Sequence, residues 1–331
     1  MSRPRIAVTL GDPRGIGPEI TALALADLPD AEVTLVGADD QLAVLPADRR
    51  VAVGTWQGGS GEHANGGPGG APDFARTLRA GRIAGHAVEA AARMALAGEV
   101  DAIVTAPAHK HALHLAGFPY PGHTEWLAEL AGGVDVAMML ASPELRVVLV
   151  TTHVPFKDVP LLLTTDRVVR TGRTTIAALR GWWGIDSPRL AVCALNPHAG
   201  ESGLFGDEEA RVLRPAAETL GAAGPLPADT VFVRALRGEF DAVLAPYHDV
   251  GMTAIKVASF GRAVNVTLGL PFPRTSPDHG TALDIAGRGI ADGSSMRAAQ
   301  GSCQRRSTGD IVGLSARIGR EVITLWLMRS I

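Results

Sequence analysis

The segment Leu190-Ala-Val-Cys-Ala-Leu-Asn-Pro-His198 shows a pattern that recurs along this chain: a short apolar run followed at once by turn-forming and polar residues. Similar runs, each followed by a helix-like stretch, occur at residues 6–10, 33–36, 102–105, 147–151, 242–245 and 264–267. Strands that are apolar throughout and alternate with helices are typical of a mainly parallel sheet covered on both faces. The sequence therefore predicts an α/β fold.

Length and composition limit the classes of protein to which the chain can belong. Its 331 residues leave room for about two domains of ordinary size, and 46% hydrophobic residues exclude a wholly disordered protein. With 31 basic and 34 acidic residues the net charge is −3, so we expect no binding to nucleic acid or to an anionic membrane. Two cysteines and the lack of a long apolar run predict a cytoplasmic protein without a membrane span.

The chain also shows where its domains and some helices are expected. A pair of glycines at 132–133 predicts a first α/β domain of residues 1–132 plus about 270–331, and a second of residues 133–269. An alanine-rich stretch at 74–96, and a stretch at 207–220 that opens with three acids, predict helices. The glycine-rich stretch at 57–72 has no Lys or Arg and predicts an exposed loop.

Three histidines directly follow predicted strands. His153, His198 and His248 come after the runs at 147–151, 190–195 and 242–245. The carboxyl ends of parallel strands share one edge of the sheet, and three neutral imidazoles with open positions are typical of a catalytic divalent metal. The spacings match no local metal motif, and a single histidine of this kind is more often a structural hydrogen-bonding residue.

A second group of residues is suited to bind an anion. His123 and Thr124 stand where a helix begins, and the free N–H groups there attract phosphate or carboxylate. Lys256, Asn265 and Arg274 flank or leave a predicted strand and are suited to charge-assisted hydrogen bonds with phosphate. An ordinary capped helix and solvated surface charges explain the same residues without a ligand, so both interpretations stay open here.

Two glycine-bearing loops lie near the ends of the chain. The loop at 11–19, Gly-Asp-Pro-Arg-Gly-Ile-Gly-Pro-Glu, matches neither a Rossmann fingerprint nor a Walker A motif. The segment at 278–289 is suited to surround a planar ligand.

Taken together and in order, these segments resemble the 4-hydroxythreonine-4-phosphate dehydrogenase family of pyridoxal phosphate biosynthesis, from residue 6 to about residue 296. The resemblance is carried by the segments at 11–19, 122–125 (Gly-His-Thr-Glu), 196–201 (Asn-Pro-His-Ala-Gly-Glu), 227–230 (Pro-Ala-Asp-Thr), 247–249 (Tyr-His-Asp) and 269–276 (Gly-Leu-Pro-Phe-Pro-Arg-Thr-Ser). More distantly, residues 15–19 and 279–289 are similar to loops of isopropylmalate and isocitrate dehydrogenases, which bind a dinucleotide without a Rossmann fingerprint.

The resemblance implies an isopropylmalate dehydrogenase-like fold of two α/β domains with an interdomain cleft, in a homodimer with shared active sites at the subunit boundary. It implies one divalent metal (Zn, Mg or Co) held by His153, His198 and His248, the last from the partner subunit. It implies a small phosphorylated hydroxy-acid substrate bound by His123, Thr124, Lys256, Asn265 and Arg274. It implies that NAD or NADP is bound by His279, Gly280, Thr281, Ala282 and Asp284. Lys110 and Asp229 are the candidates for acid and base catalysis, although each is equally suited to contact substrate.

The reaction implied by the resemblance is oxidation of the C3 hydroxyl of 4-phosphooxy-L-threonine, followed by decarboxylation to 3-amino-2-oxopropyl phosphate. Three alternatives stay open. A paralogous dehydrogenase would act on 4-phosphoerythronate or 4-phospho-D-threonate. A three-histidine metal hydrolase would need no nucleotide. A phosphometabolite-binding protein would not turn over its ligand.

The chain departs from the family pattern at two places. Val250-Gly251 stands where the family usually has Gln-Gly, so an amide near the implied metal is missing. Residues 301–310 lack the apolar periodicity of the family's C-terminal helix. We therefore expect the chain to lose regular packing soon after Ala299.

Overall fold

The computed structural model describes residues 3–26, 31–57, 74–259 and 262–307, with side chains as far as Ser302. Most of the loop predicted at 57–72, and the tail after Ser307, lie outside the described residues.

The strands are short, and four of them, at 102–105, 190–193, 242–245 and 274–277, are buried along their whole length. In chain order they are β1 Arg5–Thr9, β2 Glu32–Gly37, β3 Arg49–Ala52, β4 Ala102–Thr105, β5 Ala137–Ala141, β6 Arg146–Leu149, β7 Leu190–Cys193, β8 Ala223–Leu226, β9 Ala242–Ala245, β10 Val264–Leu268 and β11 Arg274–Pro277. Each of the seven apolar runs in the sequence overlaps one of these strands, which confirms those predictions.

The helices alternate with the strands. In chain order they are α1 Gly17–Leu25, α2 Asp39–Leu42, α3 Phe74–Leu96, α4 Lys110–Leu115, α5 His123–Leu130, α6 Val159–Leu162, α7 Thr165–Trp183, α8 Arg214–Leu220, α9 Ala228–Leu236, α10 His248–Ser259 and α11 Ser294–Ser307. The helix predicted at 74–96 is confirmed by α3. In the helix predicted at 207–220, α8 is preceded by a turn of π-helix at Glu209–Leu213.

The chain divides into two compact units. Unit 1 consists of residues up to Val136 and from Arg262 to Ser307, and its strands are neighbours in the order β3, β2, β1, β4, β11, β10. All of these pairs are parallel except β10 with β11, which is antiparallel. Buried side chains such as Ala7, Ile103 and Trp126 form part of its core, against which α3 packs.

Unit 2 consists of residues 137–261, with strand order β5, β6, β9, β7, β8. Only β5 and β6 pair in antiparallel fashion in the described registers of this unit. The boundaries differ from the residues 132 and 270 expected from the sequence. Strand β10 belongs to unit 1 because it pairs along its length with β11. The predicted α/β fold with a mainly parallel sheet is confirmed.

The last described helix, α11, packs against β11 through its first half. Met296 and Ala299 of α11 are fully buried, and the Thr275 hydroxyl on β11 donates to the Ala299 carbonyl oxygen at 2.8 Å. The backbone then stays helical through Ser307. Hydrogen bonds within a helix need no apolar periodicity, so the helical backbone can continue through these residues. The expected loss of regular packing concerns side chains after Ser302, which lie outside the described residues, and it stays a prediction.

Within the described residues, no helix is both long and apolar enough to cross a membrane.

Two helix glycines give a test of the packing in the described structure. A Cβ on Gly81 of α3 would collide with the carbonyl oxygen of Ala112 in α4, whereas a Cβ on Gly181 of α7 would meet nothing within 4 Å. We expect Gly81→Ala to destabilise the protein by about 1–3 kcal/mol, as overpacking against fixed backbone does. The control Gly181→Ala should raise stability by about 0.4–1 kcal/mol through the unfolded chain. Urea unfolding of both variants measures this, and equal effects would contradict the α3–α4 packing.

Candidate active site

Arg274 anchors a polar cluster in unit 1. It begins β11 and is only 2% exposed. Its Nη2 donates to the hydroxyl of Thr105 at the end of β4 at 2.5 Å, and its Nη1 donates to the hydroxyl of Thr267 on β10 at 3.0 Å. Oγ1 of Thr267 lies 3.4 Å from Oγ1 of Thr124 in the first turn of α5. These hydroxyls orient the guanidinium without neutralising it, which suits an anion-binding site.

His123 completes this cluster, which we call the Arg274 cluster (His123, Thr124, Thr105, Thr267 and Arg274). Burial, and then the charges of Arg274 and Lys110, lower the pKa of His123 to about 3. The imidazole is therefore neutral at pH 7. Its ring stacks on that of Trp126, with centroids 6.2 Å apart, and its Nε2 is buried without a hydrogen-bond partner among the described residues. A neutral ring with one unused nitrogen is suited to a hydrogen bond with a ligand oxygen.

Two further predicted residues belong to the same unit. Asn265 lies two residues before Thr267 on β10, so both side chains point to one face of the strand. The Oδ1 atom of Asn265 is buried, with no partner in the described part of the chain. Lys110 is exposed at the start of α4, and its positive charge contributes to the lowered pKa of His123.

The predicted cofactor loop is fastened to the first loop of the chain. The N–H of Ile16 donates to the carbonyl oxygen of Thr281 at 3.0 Å. A Cβ on Gly15 would lie 2.8 Å from the same oxygen, so this close approach requires glycine. Glu19 accepts hydrogen bonds from the N–H groups of Gly287 and Ala291 at 3.3 and 3.4 Å. Segments at the two ends of the sequence thus form one rigid loop pair.

Within the cofactor loop, one buried side-chain atom has no described partner, and one glycine faces open space. The Nε2 atom of His279 is buried, with no hydrogen-bond partner among the described residues. Ala282 has a φ of 43°, a conformation that a residue with a Cβ rarely adopts. A Cβ on Gly280 would meet nothing within 4 Å, so space is open beside the backbone there. Asp284 lies in the same loop.

In unit 2 the strand ends bring two of the three histidines together. The N–H of Val150 donates to the carbonyl oxygen of Ala245 at 2.9 Å, and the Thr151 hydroxyl donates to that of Pro246 at 2.8 Å. These bonds extend the pairing of β6 and β9 as far as His153 and His248, whose ring centroids are 5.6 Å apart. That separation allows both imidazoles to reach one cation at the ordinary metal–nitrogen distance.

His248 has the environment of a metal-binding histidine. Its Nδ1 lies 2.7 Å from Oδ1 of Asp249, so an Nδ1–H donates to the carboxylate and Nε2 is left to bind a cation. A carboxylate behind a histidine is the usual support of a metal ligand.

His198 lies apart from the other two. It begins six consecutive residues, 198–203, whose φ angles are all positive, between 40° and 95°. Such left-handed backbone costs about 1–2 kcal/mol for each residue with a Cβ. Among the described residues, no group of three His, Cys, Asp or Glu side chains is placed to hold a metal. The structure thus brings together His153 and His248 within one chain, and does not add His198 of that chain.

The remaining two predicted residues also lie in unit 2. Lys256 is exposed on α10, and Asp229 is exposed in the first turn of α9.

Comparison with known proteins decides the family. Residues 74–303 match the family model described as pyridoxal phosphate biosynthetic protein PdxA. The 4-hydroxythreonine-4-phosphate dehydrogenase of Burkholderia vietnamiensis is 47% identical over 313 residues, which cover 89% of this chain and 94% of that protein. The chain belongs to the PdxA family. It is thereby an oxidoreductase of pyridoxal phosphate biosynthesis.

Two other comparisons agree with this assignment. The 4-hydroxythreonine-4-phosphate dehydrogenase of Paracoccus denitrificans is 46% identical over 323 residues, covering 89% of this chain and 95% of that protein. The crystal structure of the Klebsiella pneumoniae enzyme of that name aligns with a TM-score of 0.77 at 38% identity, covering 92% of this chain and 99% of that one. The fold described above is thus the PdxA fold.

The roles of three residues of this PdxA-family chain were not predicted from the sequence. Thr105 and Thr267 end or lie on apolar strands and give no signal of their own, although both hold the buried Arg274. Glu209 was expected to serve a helix N-terminus. Its Oε1 instead accepts hydrogen bonds from the backbone N–H groups of Leu195 and Asn196 at 2.9 and 2.7 Å. Glu209 stands beside two other acids, Asp207 and Glu208, so no local signal separated it from them.

The lowered pKa of His123 predicts a specific loss of stability in acid. Because its pKa in the folded state is about 3 and the ordinary value is 6.5, only the unfolded chain binds the proton between these pH values. The free energy of unfolding should therefore fall as the pH drops below 6.5, by up to about 1.4 kcal/mol per pH unit. His123→Gln should remove this part of the slope in urea unfolding between pH 6 and pH 4, whereas His86→Gln, at an exposed site on α3, should leave it. Equal slopes in wild type and His123→Gln would contradict the buried neutral ring.

Proposed function

We propose that this chain oxidises 4-hydroxythreonine 4-phosphate at C3 with NAD or NADP, and that the resulting β-keto acid loses carbon dioxide to give 3-amino-2-oxopropyl phosphate. The observation that carries the proposal is the Arg274 cluster, a buried guanidinium oriented by threonine hydroxyls beside a neutral histidine. Such a group is built for a small anion. The names of the close relatives supply the substrate that bears one.

In this proposal the Arg274 cluster takes the substrate phosphate. The guanidinium supplies charge-assisted hydrogen bonds, while His123 and Thr124 supply neutral ones. Asn265, whose Oδ1 is buried without a partner in the described residues, accepts from a substrate donor such as the amino group. Lys256, on α10 of unit 2, is a further proposed substrate-binding residue because its side chain is positively charged. These contacts hold the substrate at a distance from the reacting carbon and so contribute orientation.

The histidines of unit 2 fit a divalent cation, namely Zn²⁺, Mg²⁺ or Co²⁺. His153 and His248 are near enough to share one, and Asp249 holds the His248 ring so that Nε2 is available. We assign His198 as the third ligand. When bound, the cation supplies positive charge that stabilises oxygen anions during oxidation and decarboxylation. Val250 has an apolar side chain where the family has a glutamine amide, so its side chain makes no hydrogen bond near the proposed cation site.

The residues of the cofactor loop fit a dinucleotide. His279 Nε2 is a buried polar atom without a described partner, and a Cβ on Gly280 would meet nothing within 4 Å. We propose that His279, Gly280, Thr281, Ala282 and Asp284 bind the adenosine part of NAD or NADP. When bound, the nicotinamide supplies the acceptor for the hydride from C3.

Oxidation at C3 also requires a group that takes the hydroxyl proton. Lys110 is the better placed of the two candidates, because its charge already acts on His123 within unit 1. Asp229, exposed in unit 2, is the alternative. When carbon dioxide leaves, the electron pair moves to the C3 oxygen and a proton is added at C2, for which the same group can serve as acid.

The proposal assigns one role to each unit. Unit 1 provides the phosphate and cofactor residues, and unit 2 provides the metal ligands and the surface of a homodimer. Unit 2 exposes large apolar side chains, including Phe156, Leu161 and Leu204, that a second copy would cover.

Assays with related substrates test the proposed reaction. Wild-type protein with a divalent metal should reduce NAD or NADP with 4-phosphooxy-L-threonine more efficiently than with 4-phosphoerythronate or 4-phospho-D-threonate. It should have little activity on unphosphorylated 4-hydroxythreonine. Preference for either sugar-acid phosphate would assign the chain to that substrate instead. Hydrolysis without nucleotide, or binding without turnover, would overturn the dehydrogenase.

In the same assay, Arg274→Ala should raise KM for the phosphorylated substrate by about 10- to 150-fold, the equivalent of losing about 1.5–3 kcal/mol from a hydrogen bond to a charged group. Arg274→Lys, which keeps the charge but not the fork geometry, should lie between this variant and wild type. Arg49→Ala, which removes an exposed arginine paired with Glu99, is the matched control and should leave KM unchanged. An unchanged KM in Arg274→Ala would remove Arg274 from the phosphate site.

Mixing inactive variants tests the shared metal site. Because His153 and His248 are neighbours in one chain, we propose that they act together with His198 of the partner subunit. A mixture of His153→Ala and His198→Ala subunits should then regain up to half of the activity per heterodimer, since one of its two sites has all three ligands. A mixture of His153→Ala and His248→Ala should stay inactive. Rescue only of the second mixture would show that His248 is the ligand supplied by the partner.

A further inference from the structure

The carboxylate of Glu209 lies against the inside of the left-handed turn at 198–203. A Cβ on Gly200, in the middle of that turn, would lie 2.9 Å from Oε2 of Glu209. The side chain of Glu209 is only 3% exposed. In the described part of the chain no cation pairs with it, so hydrogen bonds from N–H groups stabilise its charge. Because a buried carboxylate must be hydrogen-bonded, the N–H groups around Glu209 are held at fixed positions.

Both oxygens of Glu209 hold the residues that lead into the turn. Oε1 accepts from the N–H groups of Leu195 and Asn196, at 2.9 and 2.7 Å. Oε2 accepts from the side-chain amide of Asn196 at 2.9 Å. The chain between the end of β7 and Pro197 is therefore bound to the first residue of the π-helical turn, Glu209. His198 follows directly, so its backbone position depends on these three bonds.

The residues that follow the turn, 205–208, are also held by contacts with Asn196 and with the turn itself. The Asn196 amide also donates to Oε2 of Glu208 at 2.7 Å. A Cβ on Gly206 would lie 2.6 Å from both of these atoms, so the chain passes close beside them. The N–H of Phe205 donates to the carbonyl oxygen of Gly200 at 3.2 Å. Asn196 and Glu209 thus clamp the turn on both sides.

This clamp explains how an unfavourable conformation persists. Four of the six residues in the turn carry a Cβ, and left-handed backbone at such residues relaxes unless the surroundings hold it. The side chain of His198 is exposed and has no hydrogen bond to a described residue that would fix it. Its direction is therefore set by the turn alone.

We propose that Glu209 is a positioning residue that, with Asn196, holds the left-handed turn and thereby places His198 to bind the divalent cation. This inference rests on the proposed function, in which His198 is a metal ligand. Glu209 itself does not touch the cation.

Glu209→Gln is the variant that tests the proposal. The glutamine carbonyl can still accept from the two backbone N–H groups, but its amide would face the Asn196 amide, donor against donor. Asn196→Ala is the second variant, in case Glu209→Gln does not fold, because it removes the side-chain donor and leaves the carboxylate. Asp207→Asn is the matched control: it removes the same charge two residues away, from an exposed acid that pairs with Arg211.

Two measurements are made on each purified full-length protein. Co²⁺ is titrated into metal-free protein by calorimetry and followed by visible absorption, which reports the ligand geometry. Hydrogen exchange of residues 195–206 is measured without metal. Glu209→Gln should bind Co²⁺ about 10- to 100-fold more weakly, the usual effect of removing support from a metal ligand. It should show an altered Co²⁺ spectrum and faster exchange in this segment. Asp207→Asn should stay within twofold of wild type.

The outcomes separate this inference from the proposed function. His198→Ala is titrated first. If it binds Co²⁺ as tightly as wild type, or if wild type binds none, the proposed metal role of His198 fails and the role of Glu209 fails with it. If His198→Ala loses Co²⁺ and both Glu209→Gln and Asn196→Ala bind it like wild type, only the positioning role is overturned. A lowered Tm with unchanged Co²⁺ affinity would likewise show that Glu209 is merely structural.

Discussion

The guanidinium of Arg274 joins three neighbouring strands of unit 1, because it bonds to the end of β4 and to β10 from the start of β11. A buried cation is costly unless its N–H groups are satisfied, and here the hydroxyls of Thr105 and Thr267 accept hydrogen bonds from Nε, Nη1 and Nη2. The strands therefore fix the position of the guanidinium, and the buried guanidinium in turn needs the threonine hydroxyls as hydrogen-bond acceptors. The helix that carries His123 and Thr124 begins at the same point, so the anion-binding groups share one support.

The sequence predicted seven of the eleven described strands and missed β3, β5, β8 and β11, of which β11 is the most polar buried one. Apolar runs such as 102–105 and 242–245 were recognised because a parallel strand covered on both faces has no polar residue within it. Strand β11 reads Arg-Thr-Ser-Pro and has no apolar residue at all, yet all four of its residues are buried. Its burial depends on hydrogen bonds to other elements, namely those of Arg274 and Thr275. Such partners are far apart in sequence, and no local pattern reveals them.

For the three histidines, too, the sequence could predict positions at strand ends but not the conformation of the loops that follow. The rule that ligands gather at the carboxyl ends of parallel strands led to the ends of β6 and β9, and the structure brings the rings of His153 and His248 close together there. It could not predict the path of the chain after β7. Six left-handed residues follow there, only two of them glycines, and local propensity opposes that conformation. The resemblance to a family indicated the three histidines as ligands. Which of them are neighbours depends on the path of the backbone after each strand.

The discontinuity of unit 1 has a consequence for the order in which the protein is made. Strand β11 lies between β4 and β10, so the sheet of unit 1 cannot close until residue 277 has left the ribosome. Residues 137–261 form unit 2 without interruption and are complete well before that point. At about 5–20 residues per second, the edge of β4 waits on the order of 10 s for its partner. An unpaired edge strand can pair with the wrong partner, so β4 is open to mispairing in the nascent chain during that interval.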